Sequence, residues 1–285
     1  MTVQESAAEN GTRTLLADPR YELMPFDSFG DQLAHLPEGS TVTITASPTL
    51  GLDATIEWSE RAADRGWEVV PHLAARYVED ADHLDEVAGR LVDAGVTDVF
   101  VPGGDREEPV GEFSSAHDLL VALEELGYEF DDVGITGYPE GHPILSDETL
   151  AESMATKAPH ATYVTTQLCF DPAAITDWIE SVRDRGIDLP VEVGIPGVLE
   201  YQRLLNISQR VGVGDSLRFL KKTSGVLGFL RQLVSSRGTY QPDDLVDAID
   251  AAAADPAMNI SGLHVYTFNE AKATEDWRRD RLADL

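Results

Sequence analysis

The stretch that decides the fold is residues 21–26, YELMPF. It reads as a short buried strand, and it ends in Met24-Pro25-Phe26. An open, doubly wound parallel sheet usually places a glycine-rich phosphate loop after its first strand, and no GxGxxG follows here. Outward from this point, strand and helix signals alternate. Strands are expected over 41–46 (TVTITA), 68–73, 98–102, 133–138, 163–170, 191–195 and 262–268, because these runs are rich in β-branched and aromatic residues. Helical spacing is expected over 53–65, where Asp53 and Thr55 are candidate caps, and over 80–94, 115–126, 146–156, 172–182, 199–208, 215–235 and 243–254. Strands separated by helices imply parallel pairing through right-handed crossovers. Eight such units predict an α/β fold of the (β/α)8 TIM-barrel type, with the open sheet as runner-up.

The chain has 285 residues, 42% of them hydrophobic and 25% charged, which is enough for a sizeable core. The reading is a flexible tail over 1–12 and a single barrel domain over 13–285. One cysteine, Cys169, excludes an internal disulfide and a cysteine-rich zinc site. No apolar run approaches the roughly 20 residues of a membrane span, and the polar N-terminus does not read as a secretory signal. A cytoplasmic protein without a membrane partner is expected. Fifty-one acidic against 21 basic residues give a formal charge of -30, which argues against nucleic-acid binding. Only Lys157, Lys221, Lys222 and Lys272 are lysines. High negative charge with scarce lysine suits a salt-rich cytoplasm, so a halophilic source is expected.

In a barrel, active residues sit at the C-terminal ends of strands. That rule selects Glu22, Thr45, His72, Gly104 with Asp105, Tyr138 with His142, Gln167, Pro196 with Gly197, and Thr267 with Asn269. His72 and His142 share no ligand spacing, and no metal site is expected.

These strand ends resemble the methylenetetrahydrofolate reductase family. The segments that carry the resemblance are YELMP at 21–25, PHL at 71–73, GGD at 103–105, GYPEGHP at 137–143, TTQLCFD at 165–171, GIPG at 194–197 and LHVYTFNE at 263–270. They occur in order, from Tyr21 to about Arg279. TASPTLGLDAT at 45–55, GGDREEPVGEF at 103–113 and GVGDSLRFLKK at 212–222 place the chain nearer a divergent branch than the well-known bacterial enzyme. The resemblance implies reduction of the methylene bridge of a folate to a methyl group. The family default is a flavin, FAD, reduced by NADH or NADPH, which passes hydride to the folate iminium.

By resemblance, Glu22 is the acid that protonates the departing nitrogen. Asp105 stabilises the iminium cation and pairs with the pterin, and Gln167 bonds the pterin with its amide. Phe268 and Asn269 face the substrate, while Thr45, His72, Gly104, Tyr138, His142 and Lys157 fall at flavin-site positions. For Glu22 the alternative is a surface carboxylate or a structural ion pair, for Asp105 a turn aspartate, and for the two histidines satisfied structural residues. Three positions depart from the family pattern. Gly103 and Thr156 stand where the family has arginines that hold the flavin, and Glu270 where it has an arginine for the folate tail. Arg76, Arg106, Arg218, Lys221 and Lys222 are candidate replacements. Two routes follow: FAD held by other contacts, or direct hydride transfer from a nicotinamide to the folate. A pterin- or flavin-binding subunit without turnover and a reductase of a tetrahydromethanopterin-type carrier are the alternatives.

Overall fold

The computed structural model describes residues 15–201, 203 and 238–284. The expected tail over 1–12 and the expected helix over 215–235, with Arg218, Lys221 and Lys222, lie outside the described residues. In chain order the elements are β1 (Arg20–Leu23), α1 (Phe29–Leu33), β2 (Thr41–Ile44), α2 (Asp53–Ala63), β3 (Glu68–Pro71), a 3-10 turn (Ala75–Tyr77), α3 (Ala81–Asp93), β4 (Asp98–Phe100), α4 (Ala116–Glu125), β5 (Asp132–Gly137), α5 (Asp147–Lys157), β6 (Tyr163–Thr166), α6 (Pro172–Asp184), β7 (Val191–Pro196), β8 (Leu199–Glu200), β9 (Thr239–Tyr240), α7 (Asp243–Ala253), β10 (Ile260–Tyr266) and α8 (Ala271–Ala283).

Eight of these strands form one sheet in the order β3-β2-β1-β10-β7-β6-β5-β4, and its paired strands run parallel. Its two ends meet: His72 bridges Phe100, and the Leu73 amide donates to the Phe100 carbonyl at 2.8 Å. The sheet is therefore a (β/α)8 barrel, as the alternating pattern predicts. Helix starts follow local chemistry. Ser115 and Asp118 form a capping box on α4, Asp80 caps α3 through the His83 amide, and Asp171 precedes Pro172 at α6. At α2 the expected side-chain cap is absent. Instead the Thr55 hydroxyl donates to the Thr45 carbonyl at 2.8 Å, fastening the helix to the end of β2.

The helix expected over 199–208 does not begin at Leu199. Leu199 and Glu200 pair antiparallel with Tyr240 and Thr239 instead. The cause is aromatic packing: the rings of Tyr201 and Phe170 meet Tyr240 edge-on, with centroids 6.0 Å and 5.7 Å away.

Strand alternation decides which side chains enter the barrel. Tyr21 points outward, donating from Oη to Glu275 Oε2 of α8 at 2.6 Å, so Arg20 and Glu22 face inward. At the N-terminal end of the strands the lumen is closed by ions, not by aliphatic side chains. Arg20 Nη1 donates to Asp98 Oδ2 at 2.6 Å and to Tyr163 Oη at 2.9 Å. Tyr163 Oη donates to Asp98 Oδ1 at 2.9 Å, and Glu192 Oε1 lies 3.9 Å from Arg20 Nε. Glycines make the room: a Cβ at Gly134 would fall 2.3 Å from Tyr163 Cζ, and one at Gly262 would fall 2.5 Å from Glu192 Oε2. Burial pushes the Asp98 carboxyl up to about 6, against the pull of Arg20.

Candidate functional site

Above the ionic layer, the next inward residues come from β1, β10 and the end of β3. Glu22 Oε2 lies 3.2 Å from His264 Nε2 and 3.9 Å from His72 Nε2. His264 is aligned by the parallel register that sets it beside Arg20 and sets Tyr266 beside Glu22. Gly194 gives Tyr266 its space, since a Cβ there would sit 2.8 Å from the Tyr266 ring. Tyr266 Oη donates to the Thr166 carbonyl at 2.9 Å. His72 packs against Phe100 with centroids 4.7 Å apart, and burial pulls its imidazole down to about 4, so it is neutral at pH 7. His72 Nε2 and His264 Nδ1 have no hydrogen-bond partner in this buried layer, among the described residues. The Glu22 side chain keeps 14% exposure, so a ligand at the barrel mouth can reach it. Ionised, the carboxylate accepts from His264 Nε2–H; protonated, it can donate a proton to a ligand.

The remaining candidates divide among the strand ends. Asp105 follows Gly103-Gly104 in the loop after β4, and its Oδ1 accepts from Tyr77 Oη at 2.5 Å. Gly104 has φ +92° and rests on the Tyr77 ring, where a Cβ would be 3.3 Å from two ring carbons. Gln167 lies just past β6, its amide N–H on the Gly137 carbonyl at 2.7 Å and its Oε1 accepting from the Leu168 amide at 2.8 Å. The last strand breaks after Tyr266, because Phe268 and Asn269 take φ +51° and +58°. Asn269 grips Met24 at two points, Oδ1 accepting from the Met24 amide at 2.8 Å and Nδ2 donating to its carbonyl at 3.1 Å. The turn carrying Phe268 is thus bolted to the exit of β1, and the Phe268 and Tyr266 rings lie stacked with centroids 6.3 Å apart. Thr45 follows β2 directly, with its amide on the Leu23 carbonyl at 3.1 Å.

Tyr138, Lys157 and His142 lie at the β5 edge. Tyr138 and Lys157 line a cleft of about 510 Å³ between α5 and α6, together with Trp178 and Arg185. His142 stands outside that lining, edge-on to Tyr138 with centroids 5.4 Å apart, and its Nδ1 accepts from the Ile144 and Leu145 amides at 3.3 Å. Lys157 Nζ turns inward to Thr136 Oγ1 at 3.3 Å, and burial lowers its ammonium to about 8. The cleft lining carries Lys157 and Arg185 against the carboxylates of Glu140, Asp147 and Asp177. A flavin dinucleotide brings a diphosphate with two negative charges. Three carboxylates, one arginine and one inward-turned lysine do not fit a diphosphate in this cleft, whether a flavin's or a nicotinamide dinucleotide's, and of the flavin-position residues only Tyr138 and Lys157 line it.

Among the candidate replacement cations, Arg76 is committed to backbone. It donates to the carbonyls of Arg106 at 2.8 Å, Glu107 at 3.0 Å and Ser114 at 3.0 Å. Arg106 lies over the Tyr77 ring, 5.4 Å from its centroid. The guanidinium beside Glu270 is Arg203, which pairs with that carboxylate and donates to the Phe268 carbonyl at 2.6 Å. Sequence reading passed over Arg203, His264 and Tyr77. His264 had a local signal, since it sits two residues before Tyr266 on the face shared with Gly262. Tyr77 and Arg203 had none, because their partners are 28 and 67 residues away. Among the described residues, no group of three or more His, Cys, Asp or Glu side chains could hold a metal ion, and no helix is long and apolar enough to cross a membrane.

The chain is 23% identical to methylenetetrahydrofolate reductase 2 of Saccharomyces cerevisiae over 266 residues, 90% of this chain and 40% of that one. It is 25% identical over 202 residues to a Caenorhabditis elegans protein named as a probable methylenetetrahydrofolate reductase (NADPH), covering 64% of this chain and 30% of the relative. The chain therefore spans less than half the length of these relatives. Among solved structures, a monomeric dihydrodipicolinate synthase variant superposes with a TM-score of 0.40 at 12% identity, over 64% of each chain, a likeness too loose to add weight. The methylenetetrahydrofolate reductase family model matches residues 27–277, and the chain belongs to that family.

Proposed function

We propose that the protein reduces 5,10-methylenetetrahydrofolate to 5-methyltetrahydrofolate with hydride from NADH or NADPH. The observation that carries this reading is the Glu22 carboxyl in the barrel lumen, 3.2 Å from His264 and open to the mouth. The reaction needs one proton and one hydride. Glu22 gives its proton to the nitrogen that leaves as the imidazolidine ring opens, and the other nitrogen becomes an iminium. Hydride then adds to the iminium carbon, leaving a methyl group and oxidised nicotinamide. Asp105 supplies negative charge beside that cation, and Gln167 reads the pterin edge. Phe268, seated by the Asn269–Met24 clamp, offers an aromatic face to the ring. We assign an anionic tail to Arg203, in exchange for its bond to Glu270.

Gly103 and Thr156, at the positions where the resemblance places flavin-holding arginines, favour direct transfer from the nicotinamide, and no step is assigned to FAD. The test is oxidation of NADH or NADPH by purified protein in high salt, with and without methylenetetrahydrofolate and with no added flavin. Folate-dependent oxidation that Glu22→Gln lowers by about 100-fold or more supports the reading. Turnover only with a tetrahydromethanopterin carrier, or binding without turnover, replaces it with one of the alternatives.

A further inference from the structure

We infer that Tyr77 is a positioning residue for Asp105: its hydroxyl fixes one carboxylate oxygen and leaves the other for the substrate cation. The inference rests on the proposed role of Asp105. Three observations carry it. First, Tyr77 Oη donates to Asp105 Oδ1 at 2.5 Å, while Oδ2 makes no hydrogen bond among the described residues. Second, the ring is a seat for the turn. Gly104 lies on it with φ +92°, Arg106 lies over it at 5.4 Å, and Tyr77 itself is 5% exposed. A side chain at 104 would meet the ring and demand a left-handed backbone, so glycine and tyrosine fit as a pair.

Third, the loop backbone is held by other contacts. The Ala75 amide donates to the Pro102 carbonyl and the Arg76 amide to the Gly103 carbonyl, each at 3.0 Å. Beyond Asp105, the Val110 amide donates to the Arg76 carbonyl at 3.1 Å and the Glu112 amide to the Glu79 carbonyl at 2.8 Å. The Arg76 guanidinium adds its three carbonyl contacts. With the loop tethered on both sides, the phenol hydroxyl is not needed to place the chain. What it controls is the rotation of the carboxylate. The charged groups facing the hydroxyl are Asp105 and Arg106, and burial with the adjacent carboxylate holds the phenol above its usual range. It therefore remains a donor throughout the range in which the enzyme would work.

The experiment is a double-mutant cycle on the full chain in high salt, reading methylenetetrahydrofolate-dependent NADH oxidation. Tyr77→Phe keeps the ring under Gly104 and removes the hydroxyl. We expect kcat/KM for the folate to fall about tenfold, with the KM for NADH and the thermal midpoint unchanged. In an Asp105→Ala background the same substitution should have no further effect, because its target is gone. Equal losses in both backgrounds, or no loss in the first, overturn the inference. Full activity of Asp105→Ala overturns the role of Asp105 itself, a separate outcome. If Tyr77→Phe does not fold, Tyr77→His, which keeps a ring donor, is compared with Tyr77→Leu in the same cycle; equal activity of these two also overturns it.

Discussion

Replacing Asp98 by Asn tests the ionic floor of the barrel. Two carboxylates, Asp98 and Glu192, share Arg20 there, with the Tyr163 hydroxyl between the first pair. Burial raises Asp98 from 3.8 to about 6. A carboxyl with a raised pKa in the fold keeps its proton there at pH values where the unfolded chain has released it. Its stabilising contribution is therefore full below about pH 4 and is lost as pH rises through about 6. A shift of about 2 units at 1.36 kcal/mol each makes that contribution about 3 kcal/mol. Asn keeps an acceptor for Arg20 and cannot titrate. The assay is urea unfolding followed by tryptophan fluorescence, at fixed high KCl, from about pH 4.5 to about pH 7.5. The stability of the parent relative to Asp98→Asn should decline by about 2 kcal/mol over that range, the part of the change that lies above about pH 4.5. A flat or rising difference would mean that Asp98 is ionised in the fold throughout, with attraction to Arg20 outweighing burial.

Three further outcomes are expected. Gly134→Ala drives a methyl to within 2.3 Å of Tyr163 Cζ, and the ring is pinned by Arg20 and Asp98, so stability should fall by about 2–3 kcal/mol in the same urea assay. Asn269→Ala removes both bonds to Met24 and places Ala at φ +58°. It should cost about 2 kcal/mol and raise the KM for the folate more than that for the nicotinamide, as the Phe268 turn loosens. With a formal charge of -30, the thermal midpoint should rise steeply from about 0.1 M to about 1 M KCl, as the screening length drops from about 10 Å to about 3 Å; a flat midpoint would remove the halophilic expectation.

The barrel was legible because its signals are local. Residues 41–44 are β-branched at alternate and adjacent positions, Ser115 and Asp118 announce their helix, and nothing glycine-rich follows Leu23. Strand ends were overrun where polar and apolar residues continue the alternation. Residues 167–170 and 267–268 look like strand, but the Gln167 side chain turns back onto the Leu168 amide and Phe268 enters the left-handed region. The short strand at Leu199 was hidden because its partner, Tyr240, is 41 residues away. Within the candidate site, Glu22 could be chosen as a carboxylate inside an apolar strand. His72 could be chosen at the end of its own strand, but the Glu22–His264 contact was not legible, because it joins the first strand to the last, 242 residues away. The ionic floor was invisible for the same reason: Arg20, Asp98, Tyr163 and Glu192 stand at the first or second position of four different strands.

The most direct test of the central claim follows NADH or NADPH oxidation at high salt, with methylenetetrahydrofolate and no flavin, in the parent protein and in Glu22→Gln. The expected result is folate-dependent oxidation with 5-methyltetrahydrofolate as product, lost by about 100-fold or more in a folded Glu22→Gln protein. Equal turnover in the two proteins, or a parent that oxidises neither nucleotide in the presence of the folate, would contradict it.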